Sequence, residues 1–338
     1  MGLGGRMTLV ADSATVPPPP VPLFRRADVA NAARAVRAGE LVRVGRGTYA
    51  PAESWRTLAP WHRYLARVHA AARSHPDAVL VLESAAAVRG LPVFGEPPDV
   101  HLLVSDPAKS RRLPGVQVHT TERMPTVECR GGILIASAAD VAVDMARLRH
   151  PAIALAVAGS ALRADPNLTV GMMAAASAAR PTPRGARAVP WVLERASPVA
   201  ESPLEHVSIA VIEWLGFPPP ELQRWILGRD PHDEDRVDLW WEQWGIAGEA
   251  DGDIKYSGVL GDAREALNAR NARDARLLRK GVRATAHWAL RDLVACEQVR
   301  AILLAAGLPI IRPEQTGPLL SLARALRGHP ARGVLPVT

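Results

Sequence analysis

The chain has 338 residues, 48% of them hydrophobic, and a formal net charge of +7. That length suits two or three domains of roughly 100–200 residues each, and the only two cysteines, Cys129 and Cys296, lie too far apart for a disulfide framework or a cysteine-ligated zinc. No apolar run approaches the ~20 residues of a membrane span, and the opening MGLGGRMTLVADSATVPPPP lacks the apolar core of a secretory signal, so a soluble cytoplasmic protein with no membrane partner is expected.

The charge is uneven. Residues 1–76 hold eleven Arg and four acids (Asp12, Asp28, Glu40, Glu53), an excess of seven that equals the excess of the whole chain. A basic block on a neutral body points to an anionic partner, most simply DNA. An arginine-rich coding bias explains it equally well, since only three lysines occur.

Residues 1–22 end in VPPPPVP, an extended, semi-rigid run with no core to join. They are expected to be a disordered tail. Residues 23–60 read as a basic, winged-helix-like unit. RRADVANAARAVRAGE predicts a helix over 25–40, capped by Asp28, with Val29, Ala32, Ala33 and Val36 as its apolar face and Gly39 as its stop. LVRVGRGTYAP then alternates through a Gly-Arg-Gly turn, which predicts a hairpin. Helix plus basic hairpin is the second half of a winged helix. Arg25, Arg26, Arg34, Arg37, Arg43 and Arg46 are the candidate nucleic-acid-binding residues. A full helix-turn-helix has two helices before the wing, and only one is clear here, which favours phosphate contact over base reading.

Residues 61–190 read as a mixed α/β middle domain: helices at 61–76, 137–150 and 152–165, a strand and short helix at 79–94, and further strands in DVHLLVS, VQVHTT and GGILIAS. Residues 198–312 form a third unit. Ser202 caps a helix with Pro203 in its first turn and an apolar stripe of Leu204, Val207, Val211, Trp214 and Leu215. Strands are expected in LQRWILG, RVDLWW and GIAGEAD, a helix over 263–280 capped by Asp262, a last strand in RATAHWAL and a last helix in DLVACEQVRAILLAAG. Residues 313–338 are expected to be a tail.

The chemistry concentrates in VDLWW-EQWG-IAGEAD. With Gln243 and Trp244 at the centre of a tight turn, antiparallel partners sum to 487. Asp238 then faces Glu249, and Arg236 faces Asp251. Directly opposed residues bring their Cβ atoms to about 4.5–5.5 Å, so the two acids repel unless a cation or a base joins them. Mg²⁺ takes one or two carboxylates and leaves positions for water and phosphate oxygens, as phosphodiester hydrolysis requires. The alternative is an exposed ion-pair ladder with Arg236 neutralising Asp251 and Glu249. Elsewhere, His232-Asp233-Glu234-Asp235 reads as a solvated acidic loop. Trp240, Trp241 and Trp244 could stack bases, though strand alternation favours the core. P-loop, dinucleotide-glycine and GxSxG patterns are absent.

The series SPLE, RVDLWW, GEADGDIKY, ARDARLLRKGV and HWALRDL resembles the C-terminal domain of actinobacterial proteins grouped with AbiEi-type (type IV) antitoxins. That domain is similar to very-short-patch-repair endonucleases of the restriction-endonuclease-like superfamily. RRADVANAARAVRAGELVRVGRGTYAP resembles the family's N-terminal winged helix. LESAAAVRGLPVFGEPPDVHLLV with AADVAVDMAR resembles its middle domain, so the likeness covers roughly residues 24–305. It implies an α/β, multi-domain (α+β) fold: a winged-helix-like unit, a mixed α/β middle domain and a restriction-endonuclease-like mixed sheet flanked by helices. Carried over by position, Glu205 is the first-helix acid, though Ser202-x-x-Glu205 is also a capping box. Asp238 and Glu249 are the metal acids. Asp251 stands where the superfamily has its lysine, and Lys255 is the candidate substitute. Arg270 and Asn271 replace a Glu-Lys pair, and His287 an arginine.

The expected catalytic set is therefore Asp238, Glu249, Lys255 and Glu205. The expected metal set is Asp238, Glu249 and Asp251, holding Mg²⁺ if the domain is active. The resemblance implies a DNA-binding antitoxin-like regulator with a nucleotidyltransferase-like toxin as partner. A homodimer is a further expectation, and a Mg²⁺-dependent DNA endonuclease or nicking enzyme is the alternative.

Overall fold

A computed structural model describes residues 9–11, 15–106, 110–121, 123–228, 233–251 and 263–326. Within them the chain is mixed α/β, with helices interspersed among strands that form three sheets. It divides into two compact units. One holds the described residues up to Arg149, Asn167–Leu193, and Ala325 and Leu326; the other holds His150–Pro166 and Glu194–Arg324. Among the described residues no helix is long and apolar enough to cross a membrane.

The strands of the first unit are β1 (Leu9–Ala11), β2 (Phe24–Arg25), β3 (Leu41–Gly45), β4 (Thr48–Pro51), β5 (Val79–Leu80), β6 (Val100–Val104), β7 (Arg111–Leu113), β8 (Val116–Thr120), β9 (Val127–Arg130) and β10 (Ile133–Ala136). A three-stranded sheet runs β2-β4-β3, and a mixed seven-stranded sheet runs β1-β9-β10-β5-β6-β8-β7. Alternation puts Leu80, Leu102 and Ile135 fully inside. The unit's first five helices are α1 (Ala32–Arg37), α2 (Ala52–Thr57), α3 (Pro60–Ser74), α4 (Leu82–Val88) and α5 (Ala138–Leu148). Ser137 caps α5 as read, its hydroxyl accepting from the Asp140 N–H at 3.1 Å.

Two expectations about the N-terminal segment are corrected. Helix α1 is shorter than 25–40, and Asp28 is not its cap. Asp28 closes a separate 3-10 turn, Arg26–Asp28, by accepting from the Arg25 N–H at 2.7 Å. Val29 is extended, and Asn31 caps α1 by accepting from the Arg34 N–H at 3.1 Å. Both residues suit a cap; the extended backbone between them decides which one starts the helix. The proline run is no free tail either. Val21 is buried with Val44, Ala50, Ala66 and Ala70. The Pro17 carbonyl lies 2.8 Å from Nε2 of His69. A polyproline stretch makes no internal hydrogen bonds, so its carbonyls are free to serve neighbours. Further upstream, Leu9–Ala11 pairs in parallel with Val127–Cys129.

The second unit holds α6 (Pro151–Ala164), α7 (Pro203–Trp214), β11 (Glu221–Leu227), β12 (Glu234–Trp241), β13 (Ile246–Ala250), α8 (Ala263–Arg279), β14 (Ala284–Trp288), α9 (Leu290–Val294), α10 (Cys296–Ala305) and α11 (Thr316–Leu326) up to Arg324. The last is a helix where a tail was expected, with Leu319 and Leu322 buried. Asp262, the expected cap of α8, lies outside the described residues. The sheet order is β11-β12-β13-β14, antiparallel up to β13 and parallel between β13 and β14. Strand β12 alternates strictly. Val237, Leu239 and Trp241 are buried, each worth about 1.5–3 kcal/mol, and the intervening side chains turn to the opposite face. The Trp241 indole donates to the Pro218 carbonyl at 2.8 Å, so this tryptophan belongs to the core. Helices α6 and α7 pack together, and Gly159 leaves room for the buried ring of His206.

A candidate carboxylate site on the four-stranded sheet

The register of β12 and β13 is the one read from sequence. Leu239 faces Gly248, Trp240 faces Ala247 and Trp241 faces Ile246. The turn between them is a 3-10 turn, Glu242–Trp244, closed by Gly245 in the left-handed region (φ +62°). A hydrogen bond and the ladder register place two acids on this face. Asp238 Oδ2 accepts from the Ala250 N–H at 3.0 Å, and Glu249 pairs across the sheet with His287 on β14.

Glu205 joins them from the first turn of α7. Its N–H donates to Ser202 Oγ at 3.1 Å, the forward half of the capping box. Its carboxylate does not return to Ser202. Oε2 accepts from the Glu201 N–H at 2.9 Å and from the Gln223 amide at 2.8 Å. The same amide nitrogen lies 3.3 Å from Asp238 Oδ1. Gln223 was not singled out in the sequence. It sits at φ +53° inside β11, a conformation costing about 1–3 kcal/mol for a non-glycine residue.

Three acids from three elements thus meet on one side of the sheet. Burial and the neighbouring Asp238 push the Glu249 carboxyl up to about 8, against the attraction of Arg273 and His287. Burial and Glu205 raise Asp238. Glu205 and Glu249 are each 3% exposed.

Arg273, from α8, is the principal cation here. Its Nη1 donates to Glu249 Oε2 at 3.0 Å, and its Nη2 donates to the Arg236 carbonyl. Nη2 also lies 2.9 Å from Glu249 Oε1, but that buried oxygen receives no hydrogen bond. The expected ladder from Arg236 does not form. Arg236 pairs with Glu201 at 2.6 Å and lies over the Trp225 ring at 5.6 Å, because β12 turns it toward β11.

Asp251 faces a different set of partners. Its Oδ2 is 3.2 Å from His287 Nδ1 and 3.4 Å from Arg270. The other ring nitrogen of His287 is 2.9 Å from Asp274. A ring with a carboxylate at each nitrogen donates to both only as imidazolium. Burial opposes that charge, but the hydrogen bonds to Asp251 and Asp274 raise the ring's pKa. Burial likewise opposes the Asp251 charge, and the His287 hydrogen bond holds it below its ordinary value. So Asp251 is an acid with cations around it. Lys255 lies outside the described residues. The reading of 232–235 as a solvated acidic loop is corrected at Asp235 alone: Glu234 is exposed as read, and His232 lies outside the described residues. Asp235 is buried and pairs with Arg276 at 3.0 Å and Lys280 at 2.8 Å, while Asp233 holds Lys280 at 2.8 Å.

For a divalent cation the donor set is hard oxygen. Among the described residues no three His, Cys, Asp or Glu side chains form a ready-made ligand group. Mg²⁺ needs only one or two carboxylates, the rest being water and substrate oxygens. Asp238 and Glu249, with the orphaned Oε1, meet that need. Asp251 belongs to the His287 cluster instead.

The candidate nucleic-acid residues are all in the first unit. Arg25, Arg26, Arg34, Arg37, Arg43 and Arg46 are exposed. Among the described residues none of the six forms an ion pair; Arg43 makes only a 3.3 Å contact to the Gly45 carbonyl. No protein-family model matches the sequence, and a comparison with curated proteins finds no match.

Proposed function

We propose that the protein is a DNA-binding regulator of the AbiEi antitoxin type. The observation that carries this reading is the set of six exposed arginines, unpaired by described carboxylates, on the 3-10 turn, α1 and the β3–β4 hairpin. Turn, helix and hairpin are the parts of a winged helix, with a single turn in place of its first DNA-facing helix. Guanidinium groups without carboxylate partners are available to phosphate oxygens. The order of the C-terminal elements, helix, three antiparallel strands, helix and a parallel fourth strand, supports a restriction-endonuclease-like scaffold. In this reading that scaffold supports DNA binding or pairing of two copies, and a nucleotidyltransferase-like toxin is the partner that the resemblance adds.

The test is retardation of DNA fragments by purified protein across a salt series. Each phosphate contact steepens the fall of log affinity with log salt by ~0.9. Arg43→Ala with Arg46→Ala is expected to flatten the slope by about 2. Retention of the full slope and affinity by that double variant refutes the reading.

The gathered acids favour a second reading, a Mg²⁺-dependent DNA endonuclease or nicking enzyme. Asp238 and Glu249 would hold the cation, which supplies charge stabilisation at phosphate and an activated water. Glu205 would assist, and Lys255 is the candidate for orienting water. Two buried carboxyls, Asp238 and Glu249, raised by burial and by neighbouring acids, are a recognised mark of functional sites. Plasmid nicking in Mg²⁺ or Mn²⁺ but not EDTA, abolished by Asp238→Ala, would establish it; the same nicking by Asp238→Ala would exclude it.

A further inference from the structure

We propose that Gln223 is a positioning residue of the carboxylate site, tying Asp238 to Glu205 without neutralising it, so that Asp238 is held in place to take a divalent cation together with Glu249. The inference rests on the cation-site reading above and adds a residue to it.

Backbone geometry gives the first argument. On β11, Leu222 faces Leu239 and Arg224 faces Val237 with the same offset. No residue is inserted, so the left-handed turn at Gln223 does not absorb a bulge. It falls opposite Asp238, inside an otherwise regular ladder. Strain without a register change points to a demand on the side chain.

Hydrogen bonding gives the second. One amide nitrogen has two hydrogens, and here two acids from two different elements lie within reach, Glu205 Oε2 at 2.8 Å and Asp238 Oδ1 at 3.3 Å. The two carboxylates repel each other, so they stay close only while something donates to both.

The choice of an amide gives the third. Lysine or arginine at this position would also bridge the acids, but would cancel their charge and repel an incoming cation. A neutral donor keeps two negative charges in place, and it is easily displaced, since an amide can rotate to offer its oxygen instead of its nitrogen.

Mn²⁺ binding to the full chain at neutral pH, followed by calorimetry and by the electron paramagnetic resonance signal of the free ion, tests this. Wild type is expected to take up one Mn²⁺ per chain. Gln223→Gly removes the amide and suits the left-handed backbone. It is expected to bind Mn²⁺ at least tenfold more weakly while unfolding at no lower temperature than wild type. Gln223→Lys is expected to remain folded and to lose Mn²⁺ binding. Undiminished binding by either variant overturns the proposal and leaves the cation site standing. Absence of uptake by wild type overturns the cation site and the proposal together.

Discussion

Replacing Gly159 by alanine sets two effects of opposite sign against each other. Gly159 lies inside α6, where alanine is intrinsically favoured by about 1 kcal/mol. An alanine Cβ at that position would stand 1.9 Å from Nε2 of His206, 2.4 Å from Cδ2 and 2.8 Å from Cε1. The ring cannot swing away cheaply. It is 1% exposed, and its nitrogens sit 2.9 Å from the Ser202 carbonyl and 3.2 Å from that of Ser197. Forcing α6 and α7 apart costs about 1–3 kcal/mol. Breaking one buried polar contact of the ring adds roughly 1–3 kcal/mol. The clash wins, and the net loss is about 1–5 kcal/mol after the propensity gain. Urea unfolding followed by tryptophan fluorescence measures it. Combining Gly159→Ala with His206→Ala should recover more than ~1 kcal/mol relative to additivity, because the second change removes the obstruction. A Gly159→Ala chain as stable as wild type would refute the packing of α6 on α7. The same displacement moves Glu205, the residue before His206, so Mn²⁺ affinity should fall with stability.

Glu249→Gln is expected to stabilise the metal-free chain at pH 8 and to have little effect below pH 4.5. The folded chain keeps this proton up to about pH 8, whereas the unfolded chain releases it near 4.5. Stability therefore falls as pH rises through that window, by up to about 5 kcal/mol at roughly 1.4 kcal/mol per pH unit; a pH series of melting temperatures would show the two curves diverging, and parallel curves would contradict the argument. Lys280→Ala should destabilise by about 2–4 kcal/mol near neutrality, because it leaves buried Asp235 with Arg276 as its remaining cation. Burial opposes the Asp235 charge, but hydrogen bonds from Arg276 and Lys280 keep its pKa below the ordinary value, so the loss should shrink as acid titrates the carboxyl; a constant loss in urea titrations down to pH 3 would count against it. Gly248→Ala should cost about 1–3 kcal/mol, since the new methyl meets Trp288 at 2.8 Å and Trp241 at 2.9 Å; unchanged urea midpoints would rule the contact out.

Much of the sheet was legible because strand alternation and turn length are local. EQWG fixed a sum of 487, and the register follows it. The partners of the acids were less legible because they are distant. Arg273 reaches Glu249 from a helix 24 positions on, and Arg236, adjacent in the ladder, turns to Glu201 instead. Gln223 left no trace, since nothing in ELQRWIL marks a left-handed residue. At the other end, RADVAN offers two good caps three residues apart, and composition alone does not choose between Asp28 and Asn31. The proline run misled for a related reason. A segment without internal hydrogen bonds looks free in a sequence, yet it is the one most able to lend its carbonyls, as Pro17 does to His69.

The passage of the chain between its two units bears on how such a protein can be inherited. Helix α6 precedes Asn167–Leu193 in sequence, yet it belongs with the segment that follows them. A gene fragment beginning near residue 198 would encode the sheet and its acids but not the helix against which α7 lies, and His206 would face an empty groove. Recombination could not transplant this C-terminal unit as a cassette by a single crossover before residue 198. A fragment that keeps this packing must start at or before His150, and it then carries the 167–193 excursion of the other unit with it.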